Sequence, residues 1–144
     1  MVISAAVAPV YKEASFTSEM ITQGLMWEYV SILNKKDNWC RVTMEDGYVG
    51  WINNFYLSEF QIDTLNRLIL TNRYSPLRSK LGKDGQILSL LSFGTLVPII
   101  EQASKYCKIR LVNGEEGFIP KQDDVNSKSR NEIIKRAISL IGVP

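Results

Sequence analysis

The chain has no histidine, only two cysteines, almost no net charge and no long apolar run. Without histidine no imidazole is available as general base or metal ligand, and no Cys-His pair can form within these 144 residues. Neither a metal nor a cofactor is therefore expected. Two thiols, Cys40 and Cys107, are too few for a disulfide framework, and each lies inside a strand-like run where cysteine serves as a small buried hydrophobe. No segment approaches the roughly 18–20 apolar residues of a membrane span. The opening "MVISAAVAPVYKEAS" has no basic stretch ahead of its apolar residues, which break at Pro9, so it does not read as a signal peptide. A formal charge of +2 is too small to argue for a nucleic acid or a membrane as partner, since binding phosphates needs several clustered cations.

What the chain does have is a repeat. "WCRVTMEDGYVGWI" at 39–52 returns as "YCKIRLVNGEEGFI" at 106–119, a shift of 67 positions (106 − 39). The same shift runs upstream without a gap, pairing Pro9 with Pro76, Met20 with Ile87, Val30 with Val97 and Ile32 with Ile99. A unit this long is a small domain, not a solenoid blade. With 45% hydrophobic and 22% charged residues, each half sits near the lower size limit for its own core, so the halves are expected to lean on each other.

Within each copy the pattern is that of strands. "WEYVSIL", "WCRVTM" and "YVGWI" are rich in aromatic and β-branched residues, with Asp46-Gly47 placed for a hairpin turn. "GTLVPII", "YCKIRLV", Asn113-Gly114 and "EGFIP" repeat the scheme. Closely spaced short strands predict an all-β chain of two tandem small barrels. The first is expected over residues 1–58 and the second over 73–122. The stretch between, 59–72, is too apolar for a loose linker; Phe55, Tyr56, Leu57, Phe60, Leu65, Leu68 and Ile69 are expected to cap the barrels or pack between them. In the tail, 123–144, Ser129 and Glu132 have the spacing of a capping box. Ile133, Ile134, Ala137, Ile138 and Ile141 then recur at helical intervals, predicting an amphipathic C-terminal helix.

These residues carry a resemblance. "SEMITQGLMWEYVSILNKKDNWCRVTMEDGYVGWI" resembles the first bacterial SH3-like (SH3b) domain of NlpC/p60 cysteine peptidases, and "RNEIIKRAISLIGVP" resembles the opening helix of their catalytic domain. The second copy departs from the pattern, the Tyr and Trp of its hairpin becoming Glu115 and Phe118. The resemblance implies two SH3-like barrels from a γ-D-glutamyl-diamino-acid endopeptidase that cuts cell-wall stem peptides, cut just before the catalytic core. The chain itself is then non-catalytic, and its implied partners are the stem peptide and its own peptidase domain. With no leader and no disulfide framework, the expected compartment is the cytoplasm and the expected task recycling of wall peptides; export remains open if a leader was removed.

Other motifs are read as structural. "GKDG" at 82–85 lacks the spacing and the following helix of a phosphate loop, and the carboxylate pairs Glu45-Asp46 and Glu115-Glu116 are solvated hairpin tips. Aromatic residues concentrate in the first copy, where Trp27, Trp39, Tyr48, Trp51, Phe55 and Tyr56 stand. Trp51 and its equivalent Phe118 are expected in the barrel cores. By the resemblance, the first barrel selects peptides with a free amine. Glu19 is the candidate carboxylate for that ammonium and Tyr48 the candidate phenol to orient the peptide, with Trp39 and Tyr56 as further substrate-binding candidates. The alternative is a stand-alone SH3-like module that binds cell-wall peptide or a protein partner.

Overall fold

The computed structural model describes residues 1–60, 66–82, 84–122, and 134, 137, 138, 140 and 141. The first copy contains β1 (Val2–Ile3), β2 (Val7–Tyr11), β3 (Met20–Leu25), β4 (Val30–Lys36), β5 (Trp39–Met44) and β6 (Val49–Asn53), then a 3-10 turn (Asn54–Tyr56) and β7 (Leu57–Ser58). The second contains β8 (Arg67–Ile69), β9 (Tyr74–Arg78), β10 (Ile87–Ser92), β11 (Leu96–Gln102), β12 (Tyr106–Arg110) and β13 (Glu116–Pro120). The protein is all-β, as the strand pattern predicted, and SH3-like, as the resemblance implied.

The shift of 67 holds strand by strand and bond by bond. Trp39 faces Asn53 and Cys40 faces Ile52 in the first hairpin; Tyr106 faces Pro120 and Cys107 faces Ile119 in the second. A bulge interrupts β4 between Ile32 and Asn34 and returns in β11 between Ile99 and Glu101. Both hairpins close in the same way: the Met44 amide donates to the Tyr48 carbonyl, and the Leu111 amide to that of Glu115, each at 2.8 Å. Gly47 (φ 89) and Gly114 (φ 85) supply the left-handed residue these turns need.

Two features depart from the expectation. First, the sheets are open. The first copy orders its strands β3-β2-β6-β5-β4 and the second β10-β9-β13-β12-β11-β8, so among the described residues no ladder closes a barrel. Second, the stretch expected to be a connector holds β8, which pairs with β11 through Ile69 and Leu96. Its counterpart is the bridge between Val2 and Tyr29, 67 residues earlier. Apolar residues around this stretch divide: Tyr56 and Leu57 pack on one core, Phe60 and Leu68 on the other, while Phe55 and Ile69 are exposed. Leu65 lies outside the described residues.

One core holds Ile3, Ala8, Val10, Val30, Cys40, Val42, Met44 and Ile52 of the first copy. The other is shared: Val2, Met26 and Trp27 join Leu70, Leu77, Leu91, Val97, Cys107, Ile109, Leu111 and Ile119 of the second copy. Both thiols are buried and free. Trp51 and Phe118 are in neither core. Strand alternation turns Gly50 and Ile52 inward, as it does Gly117 and Ile119, and leaves the two rings half-buried on the opposite face. Most of the predicted C-terminal helix, with its capping box, lies outside the described residues; of its apolar positions, Ile134, Ile138 and Ile141 are exposed.

Candidate functional site

The outer face of the first sheet gathers aromatic side chains from two strands, a loop and a 3-10 turn. Tyr11, at the end of β2, pairs with Trp51 of β6, which in turn faces Arg41 of β5, and the Tyr11 ring meets Trp39 edge-on at 5.6 Å. The loop 12–19 is closed at its base by the Lys12 amide, which donates to the Glu19 carbonyl at 2.9 Å, and it is braced inside by Ser15 and Thr17. It places Phe16 4.7 Å from Trp39 and 6.1 Å from Tyr11. After β6, the Asn53 side chain accepts the Phe55 amide at 3.3 Å and starts the 3-10 turn. The Asn54 amide ties that turn to the Asn38 carbonyl at 2.8 Å. Phe55 then lies 3.9 Å from Tyr56 and 6.3 Å from Phe16.

Tyr11, Phe16, Trp39, Phe55 and Tyr56 thus form one connected patch. Trp39 is its floor at 9% exposure, while Phe16 at 55% and Phe55 at 61% stand in solvent. A cluster of exposed rings held in place by backbone hydrogen bonds is a surface prepared for apolar groups of a ligand, because its apolar area is not used within the chain.

Of the four residues expected at a site, Trp39 and Tyr56 are in this patch. Glu19 is at the base of the loop, exposed, with its carboxylate 3.5 Å from the Lys12 ammonium. Tyr48 is on the β5–β6 turn, at the far end of β5 from Trp39, and its ring is 54% exposed. No hydrogen bond or ring contact joins Glu19 to Tyr48. Near that turn the Glu28 carboxyl is raised above its ordinary value by burial, opposed by a backbone hydrogen bond at Leu25 and reinforced by Glu45 and Asp46. Among the described residues no three His, Cys, Asp or Glu side chains come together as a metal-ligand set.

Tyr11 and Phe16 were not singled out in the sequence. The signal was in the repeat: shifted by 67, they fall on Arg78 and Lys83, and Phe55 falls on Gln122. An aromatic present in one copy and absent from the other marks a position that the fold does not require.

A family model described as the bacterial dipeptidyl-peptidase Sh3 domain matches residues 10–54. A curated relative, the gamma-D-glutamyl-L-lysine dipeptidyl-peptidase of Bacillus cereus, is 23% identical over 81% of this chain and 38% of its own length. A crystal structure of an NlpC/P60 family protein from Bacillus cereus covers 99% of this chain with a TM-score of 0.80 at 17% identity, which shows a shared fold. The chain spans 64% of that protein and about two fifths of the curated relative.

Proposed function

From the match of residues 10–54 to the bacterial dipeptidyl-peptidase SH3 domain model, we propose that this chain is the non-catalytic specificity region of a cell-wall peptide hydrolase, and that the aromatic patch of its first copy receives the stem peptide. The observation that carries this reading is that Phe16 and Phe55, the two most exposed rings of the patch, have no aromatic counterpart in the second copy, where Lys83 and Gln122 stand at their positions. A peptide laid across the patch packs its side chains on Phe16, Trp39 and Phe55, and Glu19 at the loop base offers a carboxylate to an amino group. Tyr48 lies beyond the patch and contributes only if the ligand reaches the far end of β5. The chemistry of cleavage belongs to a peptidase domain, because a chain with no histidine cannot form the Cys-His pair that such cleavage uses.

The test is an amide NMR titration with L-Ala-γ-D-Glu-L-Lys. Shifts are expected at Tyr11, Phe16, Trp39 and Phe55. The F16A/F55A variant, whose removed rings are exposed, should keep its fold and weaken binding by about tenfold or more, two lost aromatic contacts being worth at least ~1.4 kcal/mol together. E19Q should weaken the peptide but not its N-acetylated form. Saturable binding that leaves these residues unshifted overturns the assignment of the patch.

A further inference from the structure

One row of side chains crosses the outer face of each sheet. In the first copy, pairing from strand to strand lines up Asn34 of β4, Arg41 of β5, Trp51 of β6, Tyr11 of β2 and Met20 of β3. Residues paired in this way share a face of the sheet. Arg41 therefore stands beside Trp51 on the face that carries the aromatic patch, two residues along β5 from Trp39. In the second copy the same row reads Glu101, Lys108, Phe118, Arg78 and Ile87. Both copies thus place a cation beside the central ring.

The surroundings of that cation differ. Lys108 lies opposite Glu101 and forms an ion pair with Glu116, so the second copy neutralises its charge internally. Shifted by 67, those two carboxylates fall on Asn34 and Val49. The Asn34 side-chain oxygen accepts the Lys35 amide at 2.8 Å, and Val49 offers only aliphatic surface. No carboxylate stands opposite Arg41 or on the diagonals of its two ladders. Arg41 is exposed, and among the described residues its side chain makes no hydrogen bond or ion pair. The first copy keeps the cation and lacks both of its counter-charges, at the margin of the exposed rings. A guanidinium so placed presents a free fork that fits both oxygens of a carboxylate.

We propose that Arg41 is a specificity-determining residue of the first copy, which binds a carboxylate of the peptide while apolar parts of the same ligand lie on Trp51, Tyr11 and the patch. The proposal rests on the reading of the patch as a peptide site and adds the chemical class of the ligand, a peptide that carries a free carboxylate within its length. A glutamyl residue linked through its γ-carbonyl meets that description, because the linkage leaves its α-carboxylate unbonded.

The test titrates the whole chain and its R41Q variant with L-Ala-γ-D-Glu-L-Lys amidated at its C-terminus, and with the same peptide whose glutamyl α-carboxylate is also an amide. The unaltered chain should bind the acid about tenfold or more tighter than the amide, the scale of a charge-assisted pair. That preference should shrink as salt rises from about 50 to about 300 mM. R41Q, altered at an exposed side chain, should keep the fold and bind acid and amide alike, and R41K, which keeps the charge without the fork, should recover part of the preference. F16A/F55A should weaken both peptides by one factor and leave their ratio unchanged. Equal binding of acid and amide by the unaltered chain, or an undiminished preference in R41Q, would overturn the proposal. If F16A/F55A still weakens both peptides in that case, the patch stands and only the role of Arg41 falls. If F16A/F55A has no effect while R41Q loses the preference, the patch reading falls and Arg41 stands; failure of both peptides to bind overturns the two together.

Discussion

Trp27 holds a left-handed backbone (φ 70) at the position where the second copy has Gly94 (φ 85). The bend is a requirement of the fold: in both copies the amide of this residue donates at 2.9 Å to a carbonyl of the incoming strand, Ile3 in one and Leu70 in the other. For tryptophan that backbone costs about 1–3 kcal/mol, and the buried indole Nε1, which has no hydrogen-bond partner among the described residues, adds to the cost. Burial offsets both, since the side chain is 1% exposed within the shared core. W27A should therefore lose about 3–5 kcal/mol in urea unfolding. W27G should be no less stable than W27A, the reverse of the usual order within a strand, because glycine relieves the bend. W27F, which also removes the unpaired N–H, should fall nearest the unaltered chain.

Glu28 gives a pH-dependent test at the same scale. Its folded carboxyl is raised above the unfolded value, so its contribution is fully favourable below the unfolded value and is lost as pH rises through the folded one. E28Q should consequently raise the unfolding midpoint at neutral pH, and the gain should vanish as pH falls below the ordinary carboxylate range. A gain that is the same at both pH values would show that charge at Glu28 is not the cause.

At the scale of elements, the hairpins were legible because Asp46-Gly47 and Asn113-Gly114 sit between runs of β-branched and aromatic residues, and the shift of 67 aligns the strands from sequence alone. The first strand of each copy was not legible. Val2–Ile3 and Arg67–Ile69 are too short to show a period and are ordered by pairing with distant residues. The same limit hid the patch, whose members come from two strands, a 3-10 turn and the loop 12–19 and meet only when that loop folds back. Gln122, at the position of Phe55, illustrates a polar residue whose role needs the fold to be seen. Buried at 4% exposure, it accepts the Thr71 and Asn72 amides at 3.0 and 3.3 Å and donates to the Pro120 carbonyl at 2.7 Å. Q122A should cost about 1–3 kcal/mol by removing an acceptor from two part-buried amides. In hydrogen exchange the loss should be concentrated at Thr71 and Asn72.

For the molecule as a whole, the shared core decides how the two copies unfold. Val2, Met26 and Trp27 are packed with residues of the second sheet, so opening that sheet exposes part of the first. Calorimetry should show a single transition, and L77A, placed in the second copy, should lower the protection of β5 as well as β12, at a cost of about 2–5 kcal/mol. Two separate transitions, or protection lost from the second copy alone, would show that the copies are independent. The sequence indicated that each half was small enough to need support, but the form of that support, one copy lending three side chains to the core of the other, depends on contacts that no local pattern encodes.

Because an indole of one copy completes the interior of the other, neither copy is a portable part. Excising the second strips Trp27 of the core it is packed in, and excising the first removes Val2, Met26 and Trp27 from the core of the second. Any gene rearrangement that moved one copy alone would deliver a damaged domain, so what is inherited intact is the pair. Within such a pair the two outer faces can drift apart in chemistry, one toward exposed rings and the other toward charge, while the interior holds both to the same plan.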